Sequence, residues 1–355
     1  MTYFEKFCEE RDIKEETIKG YQGTINKYTR YQGKNLDDLI QEAINEERER
    51  IPQMDRTIKT RFLDFRTFLM HHENLKMSTV QKHMGNLRTL YSHRGIELPK
   101  LPPVKAKNVS VKTTYLDLPN RNDISRAIKS TGIRLASMIL VMSSGGIGRT
   151  ECVNMTVGDF IEACKGYYKS ETIPEIIDEL AHSIEDIVPT FNILRVKTQK
   201  RYYAFCSPQA TQAVLEWLLL KINQFEVEGK ELTLEESLWG WDIRDVTYQF
   251  TRLNDELNLG YARDGYRVFR PHNLRKFNSS NIGLSPETID LLHGRSQGKI
   301  HEAYIKTNPE ELKKVYMTAL DNVYIKDFGK KEIHHDEYNI SINVMMMGSE
   351  NAISI

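Results

Sequence analysis

The stretch "FRPHNLRKFNSS", residues 269–280, sets His272 and Arg275 three positions apart just after a proline, with Arg270 and Lys276 beside them. Residues at i and i+3 share one face of a helix, so a helix here presents His272 and Arg275 together. Phe269, Leu274 and Phe277 supply an apolar side on which the same helix can dock against a core. Taken alone, a His-x-x-Arg pair reads as a solvated basic helix end. Its meaning depends on what the remaining sequence places around it.

At 355 residues the chain is long for a single core, so two domains are expected. The apolar fraction is 40% and no run of about 18 apolar residues occurs, so no membrane span is expected. The first residues, "MTYFEKFCEERDIKEE", are too polar for a signal peptide. Four cysteines, Cys8, Cys152, Cys164 and Cys206, are scattered with no CxxC pair and no zinc-like spacing. These features predict a cytosolic protein with reduced thiols and no structural metal.

Lysine plus arginine (49) balance aspartate plus glutamate (49), but the charge is unevenly spread. Residues 151–190 hold nine acids and two bases, 191–201 hold four bases and no acid, and 51–110 hold eleven bases and four acids. A polyanion feels such local patches rather than the neutral sum. Nucleic acid is therefore an open partner class.

The first hundred residues carry helical periodicity: Ile58, Phe62, Phe65 and Leu69, then Val80, Met84, Leu87 and Tyr91. Ser78 is the expected N-cap of the second of these helices, and Lys82, Asn86 and Arg88 lie on its other faces as a surface for phosphates. The run "LPKLPPVKAKNVSVK" then breaks all periodicity with three prolines and four lysines, Lys105 and Lys107 among them. Further on, "DISRAIKS", "GIRLASMILVMSSGG" and "PQATQAVLEWLLLKIN" predict helices, and the acidic "SETIPEIIDELAHSIED" a surface helix. "FNILRVK" and "RYYAFCS", separated by "TQK", predict a β-hairpin. The expected fold is mainly α with a small β-sheet: a helical domain over 1–97, a linker over 98–113, a mixed domain over 114–327 and a tail over 328–355. Within that tail "YNISINVMMMGSENAISI" reads as a strand followed by a frayed end.

In the second domain Arg149 follows a glycine-rich turn and Lys197 sits at the hairpin. His272 and Arg275 come next, then Arg295 in "LLHGRSQG" and Tyr304 in "HEAYIKTN". This order resembles the tyrosine recombinases, the family of phage integrases and chromosome-dimer resolvases. "SSGGIGRTECVNMTVGDF" is similar to its first arginine box, with Glu151 shortly after the arginine. "RVKTQKRYYAF" resembles its lysine hairpin, "PHNLRKF" its HxxR box, and "LLHGRS" the box that precedes the nucleophile. Arg295 and Tyr304 stand nine apart, the family's spacing, with Arg295 where His or Trp is usual and His293 two positions early. The resemblance covers residues 115–320, and more loosely the N-terminal helices, which look like the core-binding domain. The acidic insertion and "GR" in place of "GH" point to archaeal integrases within the family.

The chemistry suits those residues. Cutting a phosphodiester without a metal needs a nucleophile that conserves the phosphate bond energy covalently, as a tyrosine does in a 3′-phosphotyrosine. Arginine forks onto two phosphate oxygens and keeps its proton, which suits Arg149 and Arg275. A lysine can give up a proton, so Lys197 fits the general acid for the departing 5′-oxygen, with Lys200 its competitor. His272 fits acid–base help or phosphate bonding. Tyr304, one of 17 tyrosines, has Tyr316 as its rival; Tyr316 sits at core-like spacing and reads as packing. Lys82, Arg88, Lys105, Lys107, Lys200, Arg270 and Lys276 are the expected backbone-phosphate contacts.

The resemblance implies a site-specific recombinase whose partner is double-stranded DNA. Four protomers would exchange strands through a Holliday junction, with no metal or nucleotide cofactor and no membrane, in the cytosol at the nucleoid. Integration or excision of a mobile element is the first reading, and Xer-like resolution of plasmid or chromosome dimers the second. A non-catalytic DNA-binding protein of this fold is a rival from another class. A metal-dependent nuclease is a further one, for which no carboxylates cluster near the bases in sequence. Leu312, Val315, Tyr316, Leu320 and Val323 form a stripe wider than a lone terminal helix can bury. Two readings stay open for it: folding back on its own domain as a monomer in solution, or docking residues 309–355 on a neighbouring protomer when DNA is bound.

Overall fold

The computed structural model describes residues 1–104, 113–183, 186–295 and 308–325. Tyr304, Lys105, Lys107 and the tail with its expected strand lie outside the described residues. The chain divides into two compact units, Met1–Lys112 and Thr113–Ile355.

The first unit is helical: α1 (Tyr3–Glu10), α2 (Glu15–Gln32), α3 (Leu36–Arg48), α4 (Thr57–His71) and α5 (Met77–His93). The periodic positions of α4 and α5 are all buried, and they surround Tyr28 of α2. The rings of Tyr28 and Phe65 meet edge to face at 5.1 Å, and Tyr28 Oη lies 3.2 Å from Tyr91 Oη. Ser78 is not the N-cap of α5. That position falls to Lys76, which makes no side-chain cap bond. Leu75 and Met77 pack against the core, and burying both starts the helix before the serine is reached. Of the stretch expected as linker, Leu98 and Leu101 pack on this core, and Arg66 donates to Pro102 O at 2.8 Å.

In the second unit α6 (Arg121–Lys129) leads to α7 (Ile133–Gly145), which is buried from Leu135 to Gly145 and forms the centre of the unit. Around it stand α8 (Arg149–Val153), α9 (Val157–Ala163), α10 (Ile173–Ala181), α11 (Pro208–Val227), α12 (Ile243–Glu256), α13 (Pro271–Asn281), α14 (Pro286–Leu292) and α15 (Pro309–Thr318). The acidic segment expected at the surface is amphipathic: α10 buries Ile176, Ile177, Leu180 and Ala181. The hairpin is present as β1 (Thr190–Arg195) and β2 (Lys200–Phe205), antiparallel, with Ile193 opposite Tyr202 and Arg195 opposite Lys200. The fold is mainly α with a small sheet, as expected.

The apolar stripe near the end folds back on its own unit. Leu312, Tyr316 and Val323 join Val188, Phe205, Ile282, Ile289 and Leu292 in one buried cluster, while Val315 stays exposed. Ile325 closes the contact through backbone bonds to both ends of the Gln209 amide, at 2.8 and 3.2 Å. In the single chain residues 309–325 thus take the first of the two readings. Among the described residues no helix is long and apolar enough to cross a membrane.

Candidate functional site

The site forms where the C-terminal end of α7 meets α13. Helix α7 ends in Gly146, whose φ of +62° is left-handed, and any Cβ there would collide with His293 Nε2 and Asn278 Oδ1. Asn278 Nδ2 donates to Ser143 O and Ser144 O, at 3.1 and 2.6 Å, and so caps carbonyls that the helix leaves open. One turn earlier on α13, Arg275 Nη1 donates to Gly146 O at 2.9 Å and Nη2 donates to His293 O. These two carbonyls fix the plane of the guanidinium and occupy two of its five N–H donors. Among the described residues no carboxylate forms an ion pair with Arg275. A half-buried cation anchored by two neutral carbonyls, with the Glu151 carboxylate near but not paired to it, keeps charge to offer an anion.

His272 lies on the first turn of α13 and is exposed overall. Enough of the ring is covered that desolvation leads the causes lowering its pKa, followed by the cations Lys276, Arg270, Arg275 and Arg295. It is therefore mainly neutral at neutral pH. Arg295 faces the same group while Nη1 pairs with Asp290 Oδ1 at 3.1 Å. Arg270 is engaged elsewhere: it pairs with Asp264 at 2.9 Å and stacks over Tyr266. Lys276 Nζ donates to Thr113 Oγ1 at 3.2 Å.

Arg149 opens α8, and the Gly148 backbone before it lies beside Arg275 Nη1. Its own side chain turns to α12 and donates to Thr247 Oγ1 at 2.8 Å. The hairpin reaches the site from the other side. Side chains two apart along a strand share a face, so Ile193 and Arg195 share one with Lys200 and Tyr202. Arg195 Nη1 donates to Gly294 O at 2.6 Å, and the Tyr202 ring lies so close over Gly294 that no Cβ would fit there. Lys197 is exposed in the turn and Lys200 exposed at the start of β2. In the first unit Lys82 of α5 is exposed and Arg88 half-buried.

Three parts of this arrangement are not apparent from the sequence. His293, which looks like a misplaced motif histidine, is 1% exposed and sits 2.9 Å from Asn278 Oδ1 through Nε2. Asn278 spends both amide hydrogens on carbonyls, so its oxygen accepts and His293 Nε2 carries the hydrogen. Burial, then the cations Arg275, Arg295 and Arg195, lower the His293 pKa to about 2, so the ring is neutral and structural. Tyr202 and Thr247 likewise join the group through tertiary contacts that no local pattern signals. Only the i+3 spacing of Asn278 from Arg275 could have pointed to its place on the same helix face.

No family model matches the sequence, and no curated protein does either. Solved structures do. The Tn1549 transposon integrase in complex with transposon right-end DNA is similar with a TM-score of 0.51 and 14% identity, over 90% of this chain and 98% of that one. XerH site-specific recombinase bound to difH substrate gives 0.49 and 12%, over 88% and 82%. A lambda integrase tetramer bound to a Holliday junction gives 0.49 and 13%, over 85% and 75%. The first of these likenesses establishes the fold. It is the fold of the tyrosine recombinases.

Proposed function

We propose that this chain is a site-specific DNA recombinase that cuts and rejoins double-stranded DNA through a 3′-phosphotyrosine. The observation that carries the reading is the convergence of Arg275, His272 and Arg295 with the Gly146–Arg149 turn and the hairpin. Backbone or side chains from four of the five expected segments, all but the nucleophile's, lie around one partly buried guanidinium that forms no ion pair among the described residues, which supports the reading. In this reading Arg275 and Arg149 bind the non-bridging oxygens of the scissile phosphate, whose charge grows in the pentacoordinate transition state. Positioned donors of that kind are commonly worth about 3 kcal/mol each. Lys197 protonates the leaving 5′-oxygen, and neutral His272 hydrogen-bonds the phosphate or relays a proton. Arg295 takes the place of the family's His or Trp, and Tyr304 is the nucleophile.

Lys82, Arg88, Lys105, Lys107, Lys200, Arg270 and Lys276 grip backbone phosphates, and the first unit acts as the core-binding domain. In this reading four protomers assemble on two sites, as the resemblance implies. Integration or excision of a mobile element is the proposed biology. The acidic insertion and Gly294-Arg295 support an archaeal virus or plasmid as its source.

Covalent capture tests the reading. On a nicked duplex carrying the recognition site, the wild-type chain should form a protein–DNA adduct, and Tyr304→Phe should abolish it while DNA affinity stays nearly unchanged. An adduct in Tyr304→Phe moves the nucleophile elsewhere; no adduct from the wild type on any duplex rejects the recombinase reading.

A further inference from the structure

Tyr202 is 7% exposed, and among the described residues its buried hydroxyl finds no acceptor for its hydrogen; the group that reaches the oxygen is the Arg275 guanidinium, as a donor. Two charges act on it, the Arg275 guanidinium more strongly and the Glu151 carboxylate less. A guanidinium has donors only, so it can never accept the phenolic hydrogen. Leaving a buried hydroxyl unpaired costs roughly 1–3 kcal/mol, which a native site tolerates when something other than the protein completes it. The ring is not free to turn away, because it is clamped over Gly294 and the strand pairing opposite Ile193 fixes its base. What is missing is an acceptor beside a cation, and an anion bound to Arg275 supplies one.

We propose that Tyr202 is a further phosphate-contacting residue: its phenolic O–H donates to a non-bridging oxygen of the phosphate that Arg275 holds. This rests on the recombinase reading above. Burial first, and then the opposing influence of Arg275, leave the Tyr202 pKa raised to about 12, so the hydroxyl keeps its hydrogen at neutral pH. Such a donor gives no proton away. It adds to the two arginines a neutral contact, which strengthens as charge builds on the oxygen in the transition state. It also couples phosphate binding to the Gly294–Arg295 turn, since the same ring packs on Gly294.

The probe is a duplex recovered from a randomised pool by covalent capture on the full chain. It is made with an ordinary scissile phosphate and with each stereoisomer of a methylphosphonate there, which replaces one non-bridging oxygen by a methyl group. Tyr202→Phe keeps the ring on Gly294 and removes one oxygen atom. Because the hydroxyl hydrogen has no acceptor in the protein, the variant should melt close to the wild-type temperature, followed by Trp217, Trp239 and Trp241, the chain's three tryptophans, all in this unit. Single-turnover cleavage of the phosphate should fall about 10- to 100-fold, the range of a hydrogen bond to a charged group. On one methylphosphonate stereoisomer the loss should shrink to under about threefold, because the acceptor is already gone. Wild-type rates in Tyr202→Phe, an equal loss on all three substrates, or a clear drop in melting temperature would each overturn the proposal. If the wild-type chain captures no duplex, the recombinase reading falls first and independently.

Discussion

Arg275 does two jobs with one planar group. Its bonds to Gly146 O and His293 O join the end of α7 to the turn after α14, and in the proposed function the same group binds the phosphate. A lysine has a single point of attachment and cannot replace that geometry. Lys197 and Lys200 divide differently: Lys197 occupies the hairpin tip, whereas Lys200 stands on the ribbon face shared by Arg195 and Tyr202. If Lys197 is the general acid, a 5′-bridging sulfur in the substrate rescues Lys197→Ala, since a thiolate leaves without a proton, and does not rescue Arg275→Ala. Rescue of Lys200→Ala instead transfers the role to Lys200. His293 gives a pH prediction. Its pKa falls from 6.5 in the unfolded chain to about 2 in the fold, so the unfolded state binds the extra proton between those values. Stability is fully present above pH 6.5 and is lost as pH falls below it, by about 1.4 kcal/mol per pH unit from this one group. Urea unfolding monitored by tryptophan fluorescence between pH 6.5 and 5 should show that slope, and His293→Gln should remove it.

At the scale of elements, a short ribbon and a terminal helix hold the site from opposite sides. The ribbon buries Phe191 and Ala204 in the core near its base and presents Arg195 and Tyr202 to Gly294 nearer its tip. Helix α15 buttresses β2: the Tyr316 ring lies 5.4 Å from that of Phe205, tilted by 32°, and its hydroxyl donates to Ser144 O at 3.1 Å, on the carbonyl end that Asn278 also caps. Tyr316 is 1% exposed, and burial pushes its pKa well up, so it is packing rather than a nucleophile. Tyr316→Ala should cost about 3–5 kcal/mol of stability, the usual range for emptying an aromatic core site. Tyr316→Phe, which loses one hydrogen bond, should cost about 1 kcal/mol and leave adduct formation intact. Chemical denaturation of both variants, with the adduct assay alongside, checks this. An inactive but stable Tyr316→Phe would return Tyr316 to the list of candidate nucleophiles.

For the whole molecule, two separately packed units divide the basic charge. Lys82 and Arg88 lie in the first and the Arg275 site in the second. If both units grip DNA, log affinity falls steeply and linearly with log salt, with a slope of about −0.9 per neutralised phosphate. Residues 113–355 alone should bind more weakly and with a shallower slope in a salt titration. An unchanged slope would mean that the helices of the first unit make no phosphate contacts.

Periodicity alone determined the helices around Phe62, Phe65, Leu87 and Tyr91, because a 3.6-residue apolar repeat can be buried in only one way. The same local logic placed His272 and Arg275 on one helix face and β1 beside β2 across a short turn. Charge chemistry and motif order then joined Arg149, Lys197, His272, Arg275 and Arg295 into one expected site. Local pattern could not say which way the stripe on α15 turns, since an apolar face is satisfied equally by its own domain or a neighbour; in the single chain it packs against Phe205 and Ile282. Nor could it cap α5 at Lys76 rather than Ser78, where packing of Leu75 and Met77 overrides capping preference. The bond from Arg149 to Thr247 spans 98 positions, and His293, Asn278 and Gly146 meet only because three helix ends converge. Contacts of that range depend on how the elements pack, which only the tertiary structure decides.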